Sequence, residues 1–167
     1  MKFFKKGEHY QFIICEKEII ARTGDEKQLP YLVRFTFLRT PWFQILFHKF
    51  LISDDDCLHD HPWPFITCLL RGGYYEWSVL KEQTPPVDMG NVVAVKVGYD
   101  GHLHVKRKYK AGSILYRPAT YKHRVELIQG TPAYSMVLTT KPVRPWGFWS
   151  KTGFVPRKEH HAGIRCD

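Results

Sequence analysis

Apolar and polar residues alternate in short stretches along most of this chain, and turn chemistry separates the stretches. Segments rich in Val, Ile, Phe, Tyr and Thr recur at 10–15, 31–38, 42–52, 58–70, 74–80, 92–97, 102–109, 113–117, 123–128 and 133–139. Their length and period fit strands. Between them lie TGDEKQLP, SDDD, RGG, KEQTPPVDMG, GYDG, KAG, RPAT and QGTP, all carrying Gly, Pro, Asp or Ser at turn positions. One stretch, residues 41–50 with WFQILFHKF, is apolar enough to suit a buried helix or a buried strand. Its crowded turns and aromatic content favour the strand. About ten short strands at this spacing predict an all-β sandwich or barrel. The expected organisation is a single domain over 1–167, with a core at about 31–141. An aromatic- and proline-rich tail, 142–167, is expected to wrap the barrel and cover an edge, its last residues frayed.

Composition agrees with a folded domain. In 167 residues, 44% are hydrophobic and 15% aromatic, enough for a core. No apolar run approaches the ~20 residues a bilayer span requires, and the opening MKFFKKGEHY lacks the apolar stretch of a signal peptide. The four cysteines, Cys15, Cys57, Cys68 and Cys166, have no CxxC spacing, which suits reduced thiols and a cytoplasmic compartment. The net charge of +9 favours anionic partners without choosing among them. Its densest part, 102–110, reads first as a lysine-protected strand edge. A nucleic-acid partner has no recognisable motif behind it.

The chemistry begins at LHDHPW. On a strand, residues two apart share a face, so His59 and His61 aim two imidazoles at one point while Asp60 faces away. Two such nitrogens suit Fe, Mn, Ni, Cu or Zn. Residues 112–123, GSILYRPATYKH, supply a third histidine, His123, preceded by Gly112 and Pro118. With these residues the sequence resembles the cupin superfamily. His59, His61 and a glycine at Gly72 or Gly73 follow its first motif, and Gly112, Pro118 and His123 its second.

The resemblance implies a double-stranded β-helix, or jelly roll, of RmlC-like type. It also implies one divalent metal held by His59, His61 and His123. The motif glutamate is missing, since Phe65 and Ile66 occupy its places, the glycine expected ahead of the pair is absent too, and Thr120 and Leu127 replace a glycine and an asparagine of the second motif. A cupin with three histidines resembles the cysteine-dioxygenase-type thiol dioxygenases, which makes Fe(II) the favoured ion, with Zn, Ni or Mn as alternatives. Cys68 lies seven residues after His61, not the five expected for that group's cross-link, so a cysteine substrate is not supported.

Several further residues are candidates. His48 is a candidate fourth ligand, although a core histidine is the more common role for such a residue. Glu76 is a weak substitute for the missing carboxylate, because a hairpin at Gly72–Gly73 sets it far from His61. His102 and His104 form a rival pair without a third ligand, and His160 and His161 read as solvent-facing tail. Asp54, Asp55 and Asp56 lack EF-hand spacing. For the substrate, parity places Trp63 and Phe65 on the histidine face, while Tyr116, Arg117, Tyr134 and Met136 flank the second motif. Arg34, Arg71 and Arg117 are candidates to clamp an anion. The expected function is an Fe(II) dioxygenase or other oxygenase acting on a small anionic molecule. The alternatives are a metal-dependent isomerase, epimerase or lyase, and a non-catalytic ligand- or nucleic-acid-binding cupin. A homodimer is a further expectation from the resemblance.

Overall fold

The computed structural model describes residues 2–4, 11–21, 30–80 and 89–159. Among these described residues fourteen strands form: β1 (Lys2–Phe4), β2 (Gln11–Ala21), β3 (Pro30–Arg39), β4 (Phe43–Phe50), β5 (Leu58–His59), β6 (Phe65–Arg71) and β7 (Gly73–Val79). They continue as β8 (Val92–Val97), β9 (Leu103–Lys110), β10 (Ile114–Arg117), β11 (His123–Leu127), β12 (Ala133–Thr140), β13 (Gly147–Ser150) and β14 (Gly153–Pro156). Two single 3-10 turns, at 89–91 and 128–130, are the other regular elements among the described residues.

The strands make two sheets of seven. One runs β1-β2-β3-β4-β12-β6-β10 and the other β14-β13-β5-β11-β7-β9-β8, with antiparallel pairing throughout. Neighbours such as β12 between β4 and β6 are far apart in sequence, as a jelly roll requires. Inward residues of both sheets meet in a cluster of Leu69, Tyr74, Leu115, Val125, Leu127 and Ala133. A second cluster, Leu46, Phe65 and Val137, packs under Trp63.

The ambiguous WFQILFHKF is a strand. β4 pairs with β3 on one side and β12 on the other. It lacks clean alternation because its outer face is also apolar: Phe47 packs against Phe35 and Phe37 there. The stretch 58–70 is not one strand as expected. Pro62 and Pro64 cannot donate to a ladder, so β5 stops at His59 and β6 starts at Phe65. Gly112 turns the chain from β9 to β10 at φ +89°, where other residues are strained.

Beyond the expected core, β13 pairs with β5 through Phe148↔His59 and Trp149↔Leu58, and so covers that strand's edge. The expectation of four reduced thiols is corrected. Cys57 is disulfide-bonded, while Cys15 and Cys68 are free. His160, His161 and Cys166 lie outside the described residues.

Candidate metal centre

His59 ends β5, His61 lies two residues on in the proline-broken loop, and His123 opens β11. Pairing of β5 with β11 sets His59 directly opposite His123. The loop carrying His61 is fixed from the second motif's turn. Tyr121 N–H donates to Pro118 O at 3.0 Å, and His61 N–H donates to Ala119 O at 3.3 Å. Thus the two sequence motifs meet through backbone bonds as well as through imidazoles.

The rings form a near-equilateral group with centroids 4.9–5.1 Å apart. One nitrogen from each lies within 4.8 Å of the others. His61 Nε2 and His123 Nε2 are 2.9 Å apart. Two nitrogens bound to one ion at about 2.1 Å, at right angles, stand about 3 Å apart, so the donor set fits one face of a first-row metal's coordination sphere. Burial pushes the His59 pKa down to about 4. Burial, and then the neighbouring His59 and His123, push His61 well below its ordinary value. Both are therefore neutral at pH 7 and able to offer a lone pair.

Asp60 does face away, and it is fully buried. Its carboxylate accepts from Arg144 Nη1, from Gly147 N–H at 3.0 Å and from Trp149 Nε1 at 3.2 Å. The residue between the histidines thus anchors β13 against β5. Ahead of them, Asp54 accepts from the Tyr31 hydroxyl and from Val125 N–H, with Oδ2 3.9 Å from His59 Nδ1.

Glu76 is the residue that sequence reasoning undervalued. It lies on β7 opposite Val125 of β11, not beside His61, and is buried. Its Oε2 lies 3.0 Å from His123 Nδ1, and its Oε1 accepts from Arg117 Nη2 at 2.6 Å and from the Tyr121 hydroxyl at 3.0 Å. Burial alone would raise its pKa. The hydrogen bond from His123, then the charge and hydrogen bonds of Arg117, hold it at about 2. An ionised carboxylate only accepts, so His123 Nδ1 carries the proton and Nε2 is the nitrogen that can present a lone pair. This carboxylate–imidazole arrangement orients a metal-binding histidine.

A cavity of about 870 Å³ opens from the three rings between the sheets. Trp63, in the proline-broken loop, and Phe65, the first inward residue of β6, line it. Trp146 lies in the tail, stacks on His61 with ring planes 12° apart and also lines the cavity, as does Phe148. His48 lines the cavity but lies outside the group of three. Its Nε2 accepts from Arg34 Nε at 3.3 Å, and burial, followed by the Arg34 charge, lowers its pKa to about 3.

Three expected substrate residues are elsewhere. Tyr116 alternates outward and is 63% exposed. Arg117 is occupied by Glu76. Tyr134 packs beneath Lys49 and Arg71 rather than on the cavity wall. Cys68 sits between the inward Thr67 and Leu69 with partners Met136 and Ile114, and the cavity lining holds no cysteine among the described residues. His104 of the rival pair bonds Asp100 at 2.9 Å.

No family model and no curated protein matches the sequence. Among solved structures, the chain is similar to the polyketide cyclase RemF from Streptomyces resistomycificus, with a TM-score of 0.51 and 13% identity over 87% of this chain and 83% of that one. It is also similar to an RmlC-like cupin from Shewanella frigidimarina, with a TM-score of 0.48 and 17% identity over 84% and 91%. KdgF from Halomonas sp. follows, with 0.46 and 18% over 85% and 95%. The chain has the cupin fold, built from two antiparallel sheets. At such identities the likeness concerns the fold alone.

Proposed function

We propose that this cupin is a metal-dependent enzyme, an Fe(II) oxygenase acting on a small anionic molecule, with His59, His61 and His123 as the ligands. A divalent ion held by three neutral imidazoles would keep its full charge and open positions, suited to activating dioxygen beside a chelating anion or to polarising a carbonyl. The chain's own part is to hold and shield that site. Glu76 fixes the ring of His123 through Nδ1–H, and burial keeps His59 and His61 free of protons at neutral pH. Trp63, Phe65, Trp146 and Phe148 exclude water from the reacting end of the cavity.

One observation favours oxygenase over isomerase, epimerase or lyase chemistry. The latter need a side chain that exchanges protons near neutrality beside the substrate. Around the rings, His48 and Glu76 are driven to about 3 and about 2, and burial pushes Tyr74 well above its usual range. Both Asp54 oxygens already accept hydrogen bonds. These surroundings support reaction at the metal itself.

Metal analysis of protein purified without chelator, joined to oxygen-electrode measurements with small carboxylic acids, tests the reading. One equivalent of iron and substrate-dependent oxygen uptake would support it. Zinc or nickel without oxygen consumption would move the assignment to Lewis-acid chemistry. No metal, with His123→Ala unchanged in stability, would leave a ligand-binding module.

A further inference from the structure

The wall facing the histidines is polar where a barrel interior is usually apolar. Strand register lines up Glu18, Arg34, His48 and Ser135 across β2, β3, β4 and β12, and all four line the cavity. Thr139, two inward positions further along β12, lines it too. Ser135 Oγ and Thr139 Oγ1 are buried, each residue 1% exposed, yet neither has a hydrogen-bond partner. Buried hydroxyls are nearly always paired, so two orphans on one cavity wall point to a polar occupant.

Arg34 carries the same signal more strongly. Its side chain is 26% exposed and its Nε donates to neutral His48. Among the described residues its carboxylate partner is Glu18, a loose ion pair with Oε2 3.7 Å from Nη1, too long for a hydrogen bond. Among the described residues no hydrogen bond reaches either terminal nitrogen. Arg157, after β14, lines the same cavity at its exposed side, with its guanidinium 5.4 Å from the Trp146 ring and no carboxylate partner among the described residues. The positive charge of Arg34 reaches as far as His61. Glu18, the one carboxylate paired with Arg34 among the described residues, offsets only part of the charge of two arginines on one cavity, and an anion between them would complete the pairing.

We propose that this wall is an oxyanion-binding subsite. Arg34, oriented by His48, receives a carboxylate or phosphate group of the substrate, Arg157 closes over it from the tail, and Ser135 and Thr139 bind polar atoms between that group and the histidines. The substrate is then two-ended, with one polar end at the histidines and an oxyanion at Arg34. Only the histidine end rests on the metal-enzyme reading; the anion subsite stands without it.

Calorimetric titration of chelator-treated protein tests the subsite apart from any metal. The probes are malonate, inorganic phosphate and the neutral malonamide. Malonate or phosphate should bind, the better of the two identifying the oxyanion, and malonamide should not. Arg34→Gln should weaken binding about tenfold or more, and Arg157→Gln several-fold. Arg157 is exposed, so its variant retains the fold and decides the matter if Arg34→Gln does not fold. His59→Ala should leave anion binding in place. Equal binding of malonamide, no binding of either anion, or unchanged affinity in folded Arg34→Gln and Arg157→Gln would overturn the proposal. Loss of the metal reading shows instead as absent metal with Arg34-dependent anion binding intact.

Discussion

At the scale of single residues, Glu76 and His48 show how burial sets chemistry. Glu76 stays ionised in the interior because His123 and Arg117 both hydrogen-bond to it. Glu76→Gln removes the charge that orients His123 while keeping the volume. We expect metal affinity to fall about 10–100-fold, read by competition with a chromogenic chelator; an unchanged affinity would remove Glu76 from the site. His48 has the opposite problem, a base buried beside a cation. Its pKa is about 3 when folded against an ordinary 6.5. Between those values the unfolded chain takes up a proton that the folded protein refuses, so stability falls as pH drops from 6.5 toward 3. His48→Gln should shrink the stability loss between pH 7 and pH 4 by roughly 3 kcal/mol, measured by urea unfolding at both pH values. Identical pH dependence in the variant would mean that His48 is not buried neutral. The part played by Glu76 was not legible in the sequence, because it depends on Glu76 meeting Val125, a pairing across 49 residues that no local pattern encodes.

At the scale of elements, strands were legible where β-branched and aromatic residues sit between turn residues, as in β8, β9 and β12. What failed was the stretch 58–70, read as one strand despite two prolines. The break matters, because it frees His61 from a ladder and lets Ala119 position it. The three histidines were legible as a group because each motif is local in sequence; Trp146 and Arg157 were not, because the tail contributes them by pairing β13 with β5. That pairing depends on Asp60. Asp60→Ala would leave Arg144 with a partly buried charge and no carboxylate, and would also strip Gly147 N–H and Trp149 Nε1. A loss of about 3 kcal/mol is expected in chemical unfolding, with Arg144→Ala costing less. Gly147→Ala tests the same junction sterically. A Cβ there would stand 2.1 Å from Val155 O, so β13 and β14 must part. Protease cleavage after residue 145 should quicken in that variant, and unaltered cleavage would show that the hairpin is not held there.

At the scale of the whole molecule, the two sheets divide the labour. β5, the following loop and β11 present the histidines, and β7 of the same sheet supplies Glu76. The other sheet supplies the polar wall of Arg34, His48 and Ser135. An ion at the histidines would therefore tie three neighbouring segments of one sheet and touch the other little. Ligands that bind only the folded state stabilise it by mass action, about 2.7 kcal/mol at a hundredfold excess over Kd. For a chain of this size that corresponds to a rise in Tm of about 5–11 °C. Chelator-treated protein should show this rise on adding ferrous iron anaerobically, or nickel as a redox-inert stand-in. Excess chelator should reverse it. His123→Ala should abolish it, since the ring joining β11 to the other two ligands is gone. Arg34→Gln should retain it, because that guanidinium belongs to the opposite sheet. A shift that survives His123→Ala would place the ion elsewhere, and equal loss in both variants would show that the two walls do not act separately.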